Sequence, residues 1–336
     1  MLTPIEERPT SEVLAELGRY TIAVNDPPWS KLASTVPNPA RIVAVSSTDQ
    51  GHLASLMREE PDSGTVVGLG GGSAMDTAKF IAWKSGKPLV QIPSIASVDA
   101  AFTDAVGVRV DGKVSYVGSI MPQRVILDLD LILSAPRRLN RAGIGDILSC
   151  HTGLWDWQLA TSEGVGVSWD DELAALGRGL LDELDEMALD ISNVTPAGVR
   201  WLMDAYRRIG MACHRAGHSR FEEGSEHFFA YCHEHLTGAT HVHGEVVTLG
   251  VVVASWLQEN RPEWVVDLVR RVGVRANPGD LGIGFATFRT TMMALAGYVR
   301  AEGLDFGIVD KVTVDDLLVS DLWAYLAQLP SEEPSL

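Results

Sequence analysis

"TVVGLGGGSAMDTAKFIAW", residues 65–83, runs from a β-branched apolar stretch through Gly70, Gly71 and Gly72 straight into a helical pattern. Glycine lets the backbone approach a ligand closely, and the free amides at a helix start attract an anion such as phosphate. A strand that ends in such a turn and feeds a helix is half of a βαβ unit. The stretch therefore predicts a parallel sheet with a pyrophosphate seated on Gly70, Gly71, Gly72 and Ser73; a plain tight turn is the rival reading of three glycines. Ser73, Asp76 and Lys79 recur every three residues, a spacing that aims all three at the mouth of the same loop.

Working outward, short β-rich runs alternate with short helical ones on both sides of this element: "YTIAV" (20–24), "RIVAV" (41–45), "PLVQI" (88–92) and "RVILDL" (124–129). That alternation predicts an α/β domain over 1–135, a Rossmann-like parallel sheet with helices on its faces. "GVRVDGKVSYVG" (107–118) reads as an inserted hairpin turning at Asp111-Gly112. One strand beyond the glycine loop, "QIPSIASVDAAFTD" supplies Ser94, Ser97 and Asp99 at a strand C-terminus, where ligands sit in open α/β sheets. The first crossover, "NDPPWSKLASTVPNPA", has room for little more than one helical turn, and Asp26 stands at its start. After Pro136 the strand signals stop. Long amphipathic segments such as "WDDELAALGRGLLDELDEMALDI" and "AGVRWLMDAYRRIGMACHRAG" predict an all-α domain over 136–330.

The 336 residues suit two domains and a cleft, and 46% hydrophobic with 21% charged residues is a globular composition, with disorder expected only in the tail "PSEEPSL". A net charge of −17 repels nucleic acid and anionic membranes, so neither is an expected partner. The N-terminus "MLTPIEERPTSE" has no basic or apolar leader region, and "LGVVVAS" is too short to span a bilayer, so a cytoplasmic location is expected. Three cysteines, Cys150, Cys213 and Cys232, without metal-type spacing fit a reducing compartment and receive no catalytic role.

A second constellation joins "GIGDILSCHTGLWDW" to "GHSRFEEGSEHFFAYCHEHLTGATHVHGE". Of the nine histidines, seven lie between 214 and 243. His214, His218, His233 and His235 read as solvated helix residues. Asp146, His227 and His243 differ, because each sits beside a Gly or Gly-Ser element that opens a helix, Gly145, Gly224-Ser225 and Gly244, and so points into a cleft. One carboxylate and two imidazoles with an open position suit a catalytic divalent ion.

Taken in order, "GGGSAMDTAK", "ASVDA", "GIGDILS…DW", "GHSRFEEGSEH" and "HGEVVTLG" resemble the metal-dependent polyol dehydrogenases of the iron-containing alcohol dehydrogenase superfamily, and among them the sn-glycerol-1-phosphate dehydrogenases. The resemblance covers residues from about 19 to 260. It implies that Asp146, His227 and His243 hold one metal ion (Zn, Fe or Ni) and that Gly70, Gly71, Gly72 and Ser73, with Asp76 beside them, hold the pyrophosphate of NAD or NADP. It places Ser94 near the nicotinamide, Asp26 within reach of the adenine ribose, and Asp99 on the substrate hydroxyls. The implied reaction is hydride transfer between the nicotinamide and a small polyol or its ketone, glycerol 1-phosphate and dihydroxyacetone phosphate by resemblance, and a homo-oligomer is compatible with it.

Three departures stand out. The family's "SRPASGSEH" is replaced by "SRFEEGSEH", which adds Glu222 and Glu223. "DAAFTD" adds Asp104. Carboxylates near a bound phosphate cost Coulomb energy, which favours an unphosphorylated polyol, a cyclitol or an amino sugar as the alternative substrate. Tyr231 stands where the family often has a second imidazole, four residues after His227, which leaves the route of proton transfer open. A dehydroquinate-synthase-like cyclase is a rival reading, weakened by the absence of a lysine from "ASVDAAFTDAV"; a sensor that binds without catalysis is another.

Overall fold

The computed structural model describes residues 3–59 and 63–331. Most of the expected disordered tail, residues 332–336, therefore lies outside the described residues. The chain forms two compact units. One runs to Asn140 and takes in Thr195–Gly217; the other holds Arg141–Val194 and the chain from His218 onward.

The first unit begins with β1 (Ile5–Glu7), α1 (Thr10–Glu16), β2 (Tyr20–Val24), α2 (Pro28–Leu32), β3 (Arg41–Ala44) and α3 (Gln50–Leu56). It continues through β4 (Thr65–Gly70), α4 (Gly72–Ser85), β5 (Leu89–Pro93), the hairpin β6 (Ala105–Val110) and β7 (Lys113–Ser119), β8 (Arg124–Leu127) and α5 (Leu129–Leu133). Six strands make one sheet in the order β1-β8-β5-β4-β2-β3, and every pairing in it is parallel. All five residues of β2 and of β5 are buried, as the continuous apolar runs of a sheet covered on both faces require. The register opposes Ile22 to Ile42 on one side and to Val67 on the other.

From β2 the chain crosses to β3 at the sheet edge, then returns to the far side of β2 to form β4 and moves on to β5. The crossover direction therefore reverses between β2 and β4. The C-terminal ends of these two strands flank the switch point, the place where such sheets bind ligands.

The hairpin turns where expected: Val110 opposes Lys113, and Asp111 and Gly112 both have positive φ, 50° and 77°, as a two-residue type I′ turn demands. β1 was not foreseen. It has only three residues and joins the sheet edge through β8.

The second unit is helical throughout its described residues, as expected. Its elements follow α6 (Arg137–Arg141), which ends where the unit begins: α7 (Gly145–Leu148), α8 (Cys150–Ser162) and α9 (Asp171–Asn193). After α10 (Pro196–Ala216) come α11 (Ser225–Thr237), α12 (His243–Leu257), α13 (Pro262–Val272), α14 (Phe285–Glu302) and α15 (Asp316–Leu326). Every residue from Gly244 to Ser255 is buried, so α12 is the central helix of the unit, apolar on all sides because all sides are covered.

The boundary expected at 135/136 falls five residues before the passage from one unit to the other at Asn140/Arg141. The helix α10, expected with the helical half, belongs to the first unit. Arg200 there forks onto Glu7 with two bonds of 2.7 Å, the Tyr206 hydroxyl donates to Ala96 O at 3.2 Å, and a Cβ on Gly210 would lie 2.5 Å from Phe102 O. Among the described residues no helix is long and apolar enough to cross a membrane.

Candidate metal centre and cofactor loop

In the second unit, α7 carries Asp146, the first turn of α11 carries His227, and α12 opens on His243. One ligand atom from each lies within 4.8 Å of the others, and among the described residues this is the cluster with metal-binding potential. His243 Nε2 is 3.3 Å and His227 Nε2 4.0 Å from Asp146 Oδ1. The local reason is a close approach of two backbones. A Cβ on Gly145 would sit 2.5 Å from Gly244 O, so glycine at 145 is what lets α7 lie against the start of α12 and bring Asp146 beside His243.

Glu226 orients His227. Its Oε1 accepts from His227 Nδ1 at 2.9 Å, and because an ionised carboxylate only accepts, Nδ1 carries a proton and Nε2 is the nitrogen a metal ion would take, displacing its proton. The Gly224 amide also donates to Glu226 Oε1 and the Thr152 hydroxyl donates to Oε2 at 2.7 Å, so the carboxylate is itself held. Burial disfavours a charged His227 imidazole, yet the bond to Glu226 and the charges of Glu226, Glu223 and Asp146 push its pKa up to about 10. His243 is likewise raised: burial opposes the shift, and the charge and hydrogen bond of Asp146 outweigh it. The field in this pocket therefore favours positive charge, and the donor set of one carboxylate and two imidazoles fits a divalent transition-metal ion.

Tyr231 packs its ring 5.9 Å from that of His227. Its hydroxyl donates to Glu223 Oε1 at 2.8 Å, and Ser219 Oγ donates to Glu223 Oε2 at 2.6 Å. Glu223 thus stands beside the histidine cluster, Glu222 is buried and Phe221 fully so. Asp104, in the first unit, accepts from Ser119 Oγ at 2.7 Å and meets His214 Nδ1 at 2.8 Å; burial raises its pKa, but these two bonds and the His214 charge hold it below the usual carboxylate value.

The glycine loop lies at the sheet's switch point. Gly70 has φ +151°, and a Cβ there would fall 2.4 Å from Asn25 Oδ1. Asn25, just after β2, accepts from the Gly71 amide at 3.1 Å and bonds Ser73 Oγ. Ala74 and Met75 donate back to Gly71 O at 3.0 and 3.1 Å, whereas the Gly72 and Ser73 amides bond no protein acceptor among the described residues. Two free donors at the start of a helix of 14 residues fit a pyrophosphate. Ser94 follows β5 and its amide donates to Gly70 O at 2.8 Å. Asp26 lies at the end of β2 with Oδ1 taken by the amide and hydroxyl of Ser30, at 3.2 and 2.6 Å. Asp99 is half-buried and opens a 3₁₀ turn.

Residues 33–136 match the iron-containing alcohol dehydrogenase family. The glycerol-1-phosphate dehydrogenase [NAD(P)+] of Thermofilum pendens is 32% identical over 81% of this chain and 81% of its own, and that of Sulfurisphaera tokodaii is 32% identical over 72% of this chain and 69% of its own. The chain belongs to the iron-containing alcohol dehydrogenase family. It is therefore an oxidoreductase acting on a small molecule. A probable glycerol dehydrogenase from Sinorhizobium meliloti shares the fold, with a TM-score of 0.74 at 21% identity over 97% of both chains.

The structure departs from three sequence expectations. His218 lies past the end of α10, off any helix, with its ring 5.4 Å from that of Trp157. Lys79 does not face the loop mouth: it is fully buried and donates to Thr103 Oγ1 and Ala105 O, both at 2.9 Å, and it draws Asp76 into an ion pair at 3.4 Å. His233 is no solvated helix residue but is 1% exposed, lodged between Thr291 Oγ1 and His241 at 3.1 Å each. Asn25, Thr152 and Glu226 were missed as site residues. For Glu226 the signal was present, a carboxylate directly before a candidate ligand; for Asn25 it was its place at the end of the strand beside the glycine loop.

Proposed function

We propose that the protein is a metal-dependent NAD(P)-linked dehydrogenase that interconverts dihydroxyacetone phosphate and glycerol 1-phosphate. The observation that carries this is the convergence of Asp146, His227 and His243 in a chain with relatives of that name. Asp146, His227 and His243 would hold a divalent ion that would supply Lewis acidity to a substrate oxygen, and zinc, iron and nickel all suit the donor set. Within the chain, Glu226 fixes the tautomer of His227 so that Nε2 is the ligating atom. The amides of Gly72 and Ser73 take the dinucleotide pyrophosphate, Gly70 gives the backbone its close approach, and Ser94 stands toward the nicotinamide. Asp99 accepts from the substrate hydroxyls, and Asp26 serves the adenine ribose. Tyr231 holds its proton on Glu223.

A second reading, an unphosphorylated polyol as substrate, is favoured by Glu223, whose carboxylate acts on His227 from close by. Asp104 does not add to this, since His214 and Ser119 meet its charge. Steady-state kinetics with NADH and NADPH against dihydroxyacetone phosphate and dihydroxyacetone decide between them. A kcat/KM of roughly 10⁴ M⁻¹s⁻¹ or more for the phosphate ester, well above that for dihydroxyacetone, is expected; turnover of dihydroxyacetone alone would move the substrate to the second reading.

A further inference from the structure

A cavity of about 360 Å³ opens in the second unit, its walls including His151, Trp155, Trp169, Arg178, Arg261 and Trp264. That volume is at the low end of the range for small-molecule sites, roughly 300–1,000 Å³. It is not part of the metal centre. His243 begins α12 and Asn260 lies past its other end, and a helix of 15 residues separates its ends by roughly 20 Å.

The walls are flat and aromatic, with the His151 and Trp264 rings 5.0 Å apart. Two cations stand on them. The Arg178 guanidinium lies 5.8 Å from the Trp169 ring centre and that of Arg261 4.9 Å from Trp264, and among the described residues neither has a carboxylate within ion-pair distance. Asp182 also lines the cavity, one turn along α9 from Arg178, without pairing with it. In a protein with a net charge of −17, two arginines left without carboxylate partners in one aromatic cavity are a local inversion of the overall charge.

The turn between α12 and α13, which carries Arg261, is held in an unfavourable shape. Glu259 and Arg261 have φ of 51° and 48°, the left-handed region that side chains with a Cβ seldom occupy, and such conformations persist where surrounding structure imposes them. Here the imposing contact is reciprocal: His151 Nε2 donates to Asn260 O at 2.7 Å, and Asn260 Nδ2 donates to His151 O at 3.1 Å. The turn is thereby latched to α8, with Arg261 and Trp264 fixed on one wall.

The geometry points to a binding site for a small planar aromatic anion, its ring laid against the indoles and its carboxylate or phosphate on the guanidinium groups of Arg178 and Arg261. The site is independent of the dehydrogenase reading. Isothermal titration of the metal-loaded protein, saturated with NADH, with 4-nitrobenzoate and with its neutral isostere 4-nitrobenzamide tests it. The carboxylate is expected to bind at least tenfold more tightly than the amide, and the double variant Arg178→Ala/Arg261→Ala to lose that preference while its melting temperature stays put. Trp264→Leu should weaken both probes. Equal affinity for the two probes in the parent, or nitrobenzoate binding that persists undiminished in the double arginine variant, would overturn the proposal.

Discussion

Glu226 carries no ligand atom in the cluster, yet it decides which nitrogen of His227 is available. A glutamine there can still accept from Nδ1 with its amide oxygen but loses the charge that makes His227 a stronger ligand. Glu226→Gln is expected to weaken metal binding by about 10- to 100-fold, read by competition with a chromophoric chelator; unchanged affinity would remove Glu226 from the site's support. Asp156, fully buried nearby, is a second carboxylate with structural work. It accepts from the Ser225 amide and hydroxyl, Gln258 Nε2 and the Ile308 amide, while burial and the Glu226 charge outweigh these bonds and push its pKa up to about 6 from 3.8. A carboxyl whose folded pKa exceeds its unfolded one binds more protons in the folded state between the two values, so its contribution is full below the unfolded value and fades as pH rises through about 6. Asp156→Asn should lower the melting temperature, and the gap from the parent should narrow between pH 4 and pH 7. A gap that widens over that range would contradict the assignment.

At the scale of elements, the glycine loop is the part the sequence made plainest. Strand, three glycines and helix appear at 65–85 as read, because the close approach at Gly70 and the helix start leave a compositional mark. Replacing Gly71 by Val sets a Cβ 3.1 Å from Ile95 Cδ1 next to the free amides of Gly72 and Ser73. NADH and NADPH affinity should then fall at least tenfold while metal content holds; calorimetry showing unchanged affinity for both would place the dinucleotide elsewhere. Other elements left weaker marks. β1 is too short for any alternation to register. The amphipathic pattern of α10 shows that the helix has a face to bury but not that Phe102, Ala96 and Glu7, about a hundred residues or more earlier, cover it. Lys79 obeyed the helical spacing of Ser73 and Asp76, yet the buried oxygens of Thr103 and Ala105 turned its ammonium inward.

For the whole molecule, the alternation of strands with helices up to residue 135 and their absence afterwards gave the class of each unit, and the interleaved return of 195–217 to the first unit is the feature no local pattern could carry. The Asp146, His227 and His243 cluster is likewise long-range, with Asp146 and His243 97 positions apart, but it was readable because each of its three residues stands at a glycine-marked helix start. The account's central claim is that these three residues together hold one divalent ion for a dehydrogenase of this family. Elemental analysis of the purified parent and of His243→Ala tests it most directly. About one metal equivalent per chain in the parent and almost none in the variant is the predicted result, because two remaining ligands seldom retain a catalytic ion; full metal content in His243→Ala would contradict it.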